Sequence, residues 1–95
     1  MSVVVVAEWT AKTGEEARVR AALDKLAEAS RSEEGNIDYR VFDSVDRHGA
    51  YLILEEYVDE EALKVHRASE HFSRIAQPII EAALESRRAR SLHPA

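Results

Sequence analysis

With 95 residues, a mass of 10.7 kDa and no cysteine, the chain has room for one domain and no disulfide. That excludes the larger dinucleotide-binding, kinase and (β/α)8-barrel architectures. A net charge of −5 opposes sequence-independent binding to phosphate backbones, and 45% apolar residues are too many for a disordered chain.

Val3 to Trp9 reads as the first strand, a β-branched run that is apolar on both parities until Glu8. Thr13-Gly14-Glu15-Glu16 has the form of a capping box, with Thr13 as cap and Glu16 reaching back. The helix that follows repeats apolar residues at Val19, Ala22, Leu23, Leu26 and Ala27, and Gly35 closes the connection after it. Tyr39 to Val45 reads as a second strand, with Ile37, Tyr39 and Val41 on one parity and Asp38 and Arg40 on the other. Asn36 beside Gly35 is a turn residue.

Asp46-Arg47-His48-Gly49 predicts a hairpin turn. Tyr51 to Val58 is the third strand, again apolar on both parities at Leu52, Ile53 and Leu54. Asp59 caps a short helix through His66, and Ser69 caps another whose apolar spacing runs from Phe72 to Leu84. Pro78 inside that run predicts a kink or restart. Arg87 to His93 is the fourth strand, its Arg87, Arg88 and Arg90 reading as a solvated, charged edge or, alternatively, an anion site. The single domain, residues 1–95, is therefore α+β, a β-α-β-β-α-β ferredoxin-like unit with an antiparallel sheet.

Two strands apolar on both faces need cover on both faces, and helices reach only one side of such a sheet. A core this small without disulfides also needs a supplement. A second copy of the same sheet answers both needs, so an obligate homodimer is expected. No apolar run approaches the ~20 residues of a membrane span, and Met1-Ser2 leads into a strand without a basic region or cleavage site. The expectation is a cytoplasmic protein with no membrane and no nucleic-acid partner.

One succession of residues carries a family resemblance. Glu33-Glu34-Gly35-Asn36-Ile37-Asp38-Tyr39 is followed by Leu54-Glu55-Glu56-Tyr57, then Asp59-Glu60-Glu61-Ala62-Leu63, His66 and Ser69-Glu70-His71-Phe72. The series resembles the antibiotic biosynthesis monooxygenase (ABM) domain family over residues 3–92. The subgroups it most resembles oxidise quinols or isomerise phosphorylated autoinducer-2. The resemblance implies a dimeric α/β barrel with a small cavity in each subunit, a small-molecule substrate, molecular oxygen as co-substrate and no cofactor. A haem-degrading branch uses an Asn in the first strand, and no Asn lies between Val3 and Trp9. Its Trp and His align here with His66 and Ala76, so haem degradation is disfavoured.

Oxygen reacts slowly with organic molecules because its ground state is a triplet, and an electron-rich phenolate or enolate bypasses that barrier. Such chemistry needs a base, hydrogen-bond donors and an apolar chamber. An isomerase acting beside a carbonyl needs the same equipment, and a non-catalytic binding or stress-response module could use the same pocket. The candidate catalytic residues are His66, His71 and Glu55. His66 reads as a base or as a helix-terminal cation. His71 reads as a base or donor, or as packing at a helix start. Glu55 reads as a desolvated base or as a structural hydrogen-bonding group. Tyr39, Tyr51 and Tyr57 are oxyanion donors or core, and Trp9 and Phe72 are candidate walls of a substrate pocket. No metal is expected, since His66 and Glu70 are split by the Ser69 cap and neither an H-E-x-x-H motif nor a cysteine pair occurs.

Overall fold

The computed structural model describes residues 1–95. Its elements are β1 (Val3–Ala11), α1 (Glu16–Arg31), β2 (Asn36–Asp43), β3 (Ala50–Tyr57), α2 (Glu60–Arg67), a π-helical segment (Phe72–Ala76), α3 (Gln77–Ala82) and β4 (Leu84–Leu92). The four strands form one antiparallel sheet in the order β2-β3-β1-β4. This is the ferredoxin-like β-α-β-β-α-β order, with the second helical connection broken into consecutive pieces.

Both parities of the inner strands are apolar because they serve different faces. Val3, Val5, Ala7, Trp9 and Ala11 of β1 are buried, as are Tyr51, Ile53, Glu55 and Tyr57 of β3. The main core joins these strand residues to Val19, Leu23, Leu26 and Ala27 of α1 and to Ala76, Ile79 and Ala83 beyond α2. Val4, Val6, Leu52 and Leu54 alternate with the core residues and are only half-buried. They make an apolar strip on the face opposite the helices.

The hairpin between β2 and β3 turns at Gly49, where φ is +83°. Asp59 caps α2, its carboxylate accepting the Ala62 N–H at 2.8 Å. Ser69 Oγ accepts the Phe72 N–H at 3.2 Å and donates to the His66 carbonyl at 2.6 Å, fixing the bend after α2. The chain stays helical through Pro78, with Ala76 and Gln77 in right-handed helical φ/ψ, and the expected kink or restart takes the form of a π-helical turn, Phe72–Ala76, just before the proline.

Four local expectations differ. Thr13 does not cap α1; Gly14 takes φ +90° and its own N–H is accepted by Glu16 at 2.9 Å. The second strand begins at Asn36 and ends at Asp43, earlier at both ends than the composition suggests. Ile37 does not share the buried face of Tyr39, because the register slips between Asn36 and Asp38 and leaves it 53% exposed. Leu84 belongs to β4 and not to the helix, since it pairs with Ala11 at the end of the β1 ladder. Backbone pairing with β1 decides this where side-chain spacing favours a longer helix.

Candidate active site

The site begins with a close approach. A Cβ at Gly35 would stand 2.5 Å from Ala62 Cβ, so only glycine lets the N-terminal half of α2 lie against the segment entering β2. The Gly35 carbonyl also accepts the Val58 N–H at 2.9 Å, tying that segment to the end of β3. Two residues before Gly35, Glu33 is thereby brought beneath the inward face of α2, where Leu63 and His66 are the buried residues.

His66 is 2% exposed and lies between two carboxylates. Its Nδ1 is 2.8 Å from Glu33 Oε2 and its Nε2 is 3.5 Å from Glu55 Oε1. A carboxylate can only accept, so Nδ1 carries a proton, and in the neutral form of the ring the lone pair falls on Nε2. His71 Nε2 meets the same Glu33 oxygen from the helical run after Ser69. Aromatic rings enclose the imidazole, with Tyr57, Phe72 and Tyr39 centroids at 5.1, 5.4 and 6.0 Å.

On the Nε2 side of His66 is a cavity of about 80 Å³. Its floor is the β1–β4 part of the sheet, where Ala7 and Ala89 leave space, and its walls include Val5, Trp9, Ile53, Leu63 and Phe72. Glu55, His66, Arg67 and Arg87 supply its polar groups. Arg87 reaches it because it pairs with Trp9 across the β1–β4 ladder and so shares the covered face. Arg88, next in sequence, instead pairs with Glu8 at 2.9 Å. The volume is far below the ~300 Å³ of an ordinary drug-sized pocket.

Of the residues singled out in the sequence, Trp9, Tyr39, Glu55, His66 and Phe72 line this cavity. Three expected residues do not line it. Tyr51 lies at the other end of β3, its hydroxyl donating to the Glu16 carbonyl at 3.3 Å. Tyr57 is fully buried behind Glu55, to which it donates at 2.7 Å. His71 is turned toward Glu33 on the far side of His66. Glu33 itself is absent from the sequence-based candidates. The only hint was its place in the Glu33-x-Gly35 motif, which reads equally as turn chemistry.

Burial sets the proton affinities. The Glu55 carboxyl is pushed above the usual glutamate range by burial, against the opposing pull of the Tyr57 hydrogen bond and, more weakly, of Arg67. Burial and the neighbouring carboxylates push the Tyr39 and Tyr57 phenols far up. Both tyrosines are therefore protonated donors and not bases. The arrangement offers one imidazole lone pair at the polar end of an apolar chamber, with a carboxylate behind the ring and another beside it.

No helix of the structure is long and apolar enough to cross a membrane. Among known proteins, "Putative monooxygenase YcnE" of Bacillus subtilis is 40% identical over 47 residues, covering half of each chain. "Putative monooxygenase Rv0793" of Mycobacterium tuberculosis is 31% identical over 70 residues, 74% of this chain and 68% of that protein. The crystal structure of PA3566 from Pseudomonas aeruginosa superposes with a TM-score of 0.92 at 26% identity, covering 99% of this chain and 94% of that one. The model of the antibiotic biosynthesis monooxygenase family matches residues 2–78. Motifs, topology and these similarities agree, and the chain belongs to the antibiotic biosynthesis monooxygenase family.

Proposed function

We propose that this protein is a cofactor-independent monooxygenase that oxidises a small monocyclic quinol or phenol with molecular oxygen. The observation that carries the reading is the Glu33–His66 hydrogen bond, which leaves the Nε2 lone pair at the cavity's polar end beside Glu55. A substrate hydroxyl there gives its proton to Nε2, and the two carboxylates offset the imidazolium charge. The phenolate left in an apolar chamber is electron-rich enough to pass an electron to oxygen. Recombination and loss of water put one oxygen atom on the ring and release the other as water, the substrate supplying all four electrons. Trp9, Phe72 and Ile53 hold the ring, and the 80 Å³ volume argues for one ring over a polycyclic substrate.

Oxygen uptake with a panel of monocyclic quinols tests this. Uptake that is catalytic in the wild type and lost in His66→Gln supports it. Absence of uptake with every quinol, together with solvent proton exchange into a hydroxy-ketone, overturns it in favour of the second reading. That reading, an isomerase of a small phosphorylated hydroxy-ketone, draws on Arg67 and Arg87, which line the cavity without any carboxylate partner.

The working unit in this proposal is a cytoplasmic homodimer. The strip of Val4, Val6, Leu52 and Leu54 is the self-complementary surface, and burying it supplies the apolar area a 95-residue core lacks.

A further inference from the structure

The proposed reaction uses the Nε2 side of His66 and leaves the Nδ1 side with more polar capacity than it needs. Glu33 Oε2 is shared by two imidazoles, His66 through Nδ1 and His71 through Nε2. The other carboxylate oxygen, Oε1, is buried without any hydrogen-bond partner. The Glu33 side chain is only 10% exposed and no lysine or arginine pairs with it. A buried, unpartnered carboxylate oxygen is costly, and its neighbours are two more good ligand atoms. The three donors, Glu33 O, His66 Nδ1 and His71 Nε2, lie within 4.8 Å of one another.

We propose that Glu33, His66 and His71 form a binding site for one divalent cation of the Zn²⁺ class, and that its occupancy turns the base off. Two imidazoles and one carboxylate are a known zinc donor set, with ligand bonds of ~2.0–2.2 Å and an open fourth position for water. His71, at 19% side-chain exposure, gives that position a route to solvent, and a second carboxylate oxygen gives the ion a further contact. Binding replaces the two imidazole contacts to Glu33 Oε2 with bonds from all three side chains to the ion.

The consequence for the cavity follows from tautomerism. An imidazole bound to a metal through Nδ1 carries its single proton on Nε2. That N–H then points to Glu55 Oε1, 3.5 Å away, and no lone pair faces the substrate. Metal-free protein has the base; metal-loaded protein has a donor in its place. This second half rests on the proposed role of His66 as base, whereas the site itself does not.

The test uses the full chain stripped with EDTA. Titration with Co²⁺, read by visible absorption, and with Zn²⁺, read by calorimetry, is expected to give one equivalent per chain. His71→Ala is expected to weaken binding about 100-fold or more, with His71→Asn as a second variant. The His48→Ala/His93→Ala double variant, which removes the only other histidines, is expected to bind as the wild type does. No saturable binding, or binding that survives His71→Ala unchanged, overturns the site. Where quinol turnover is measurable, one equivalent of Zn²⁺ is expected to suppress it at least 10-fold and EDTA to restore it. Binding without suppression overturns the switch and leaves the site standing. Binding by a protein that turns over no quinol counts against the proposed reaction alone.

Discussion

Glu33 and His66 are 33 positions apart in the chain, yet Glu33 Oε2 accepts a 2.8 Å hydrogen bond from His66 Nδ1. The bond holds the ring in one tautomer and one orientation, so its effect is felt at the opposite nitrogen. Glu33→Gln keeps the side-chain volume but offers an N–H as readily as an oxygen. It is expected to lower kcat by about 100-fold or more, with KM changed only a few-fold. Steady-state kinetics with unaltered thermal unfolding checks this. A kcat equal to wild type shows that the tautomer does not need Glu33.

The close approach at Gly35 bears on stability and site together. Gly35→Ala forces its new methyl group against Ala62 Cβ, and the expected cost is about 1–3 kcal/mol. Urea unfolding measures it. A loss under ~0.5 kcal/mol means that α2 moves aside without strain. Since that movement also parts Glu33 from His66, turnover is expected to fall more than stability does.

Glu55 ties stability to pH. Its carboxyl is held up by burial in the folded protein, so the folded state binds its proton more tightly than the unfolded chain does. The stabilisation is full below the ordinary glutamate value of about 4.3 and is lost as pH rises through the folded-state value. Glu55→Gln, compared with wild type in EDTA, is therefore expected to gain relative stability between about pH 4 and pH 7. Tyr57, His66, Arg67 and Glu33 are the groups acting on this carboxyl. A stability difference that is flat across that range refutes the assignment.

The uncovered sheet face predicts oligomeric state. Leu54→Arg puts a charge into the half-buried strip without touching the helix-covered core. It is expected to yield monomers in sedimentation while the wild type remains dimeric at micromolar concentration. The monomers are expected to unfold at lower temperature, because the dimer interface is part of the proposed core. A wild type that sediments as a stable folded monomer refutes the homodimer.

Much of this was readable from pattern. The β-branched run from Val3 to Trp9, the 3.6-residue repeat of Val19, Leu23, Leu26 and Ala27, and the caps at Asp59 and Ser69 are local signals, and the elements form where they predict, β1 running on to Ala11. Where local signals compete with long-range pairing, pairing wins. The β1 ladder draws Leu84 into β4, and a bulge turns Ile37 outward. Glu55 and His66 were legible as candidates because a carboxylate on an apolar strand and a histidine on a short helix are conspicuous. Glu33 was not, since an exposed-looking acid beside a turn has no periodicity to betray its burial.

What the sequence determined alone is the strands, the first helix and α2, and their order, because periodicity, capping and turn chemistry act over a few residues; the family showed as a resemblance, through the motif succession from Glu33 to Phe72. Only the tertiary structure decided the site. Whether Arg87 or Arg88 faces the cavity depends on the β1–β4 register, and whether His66 or His71 does depends on the bend at Ser69. Glu33 joins them because Gly35 has no side chain to hold α2 away. Contacts between residues dozens of positions apart are fixed by how elements pack, and no short-range pattern encodes that.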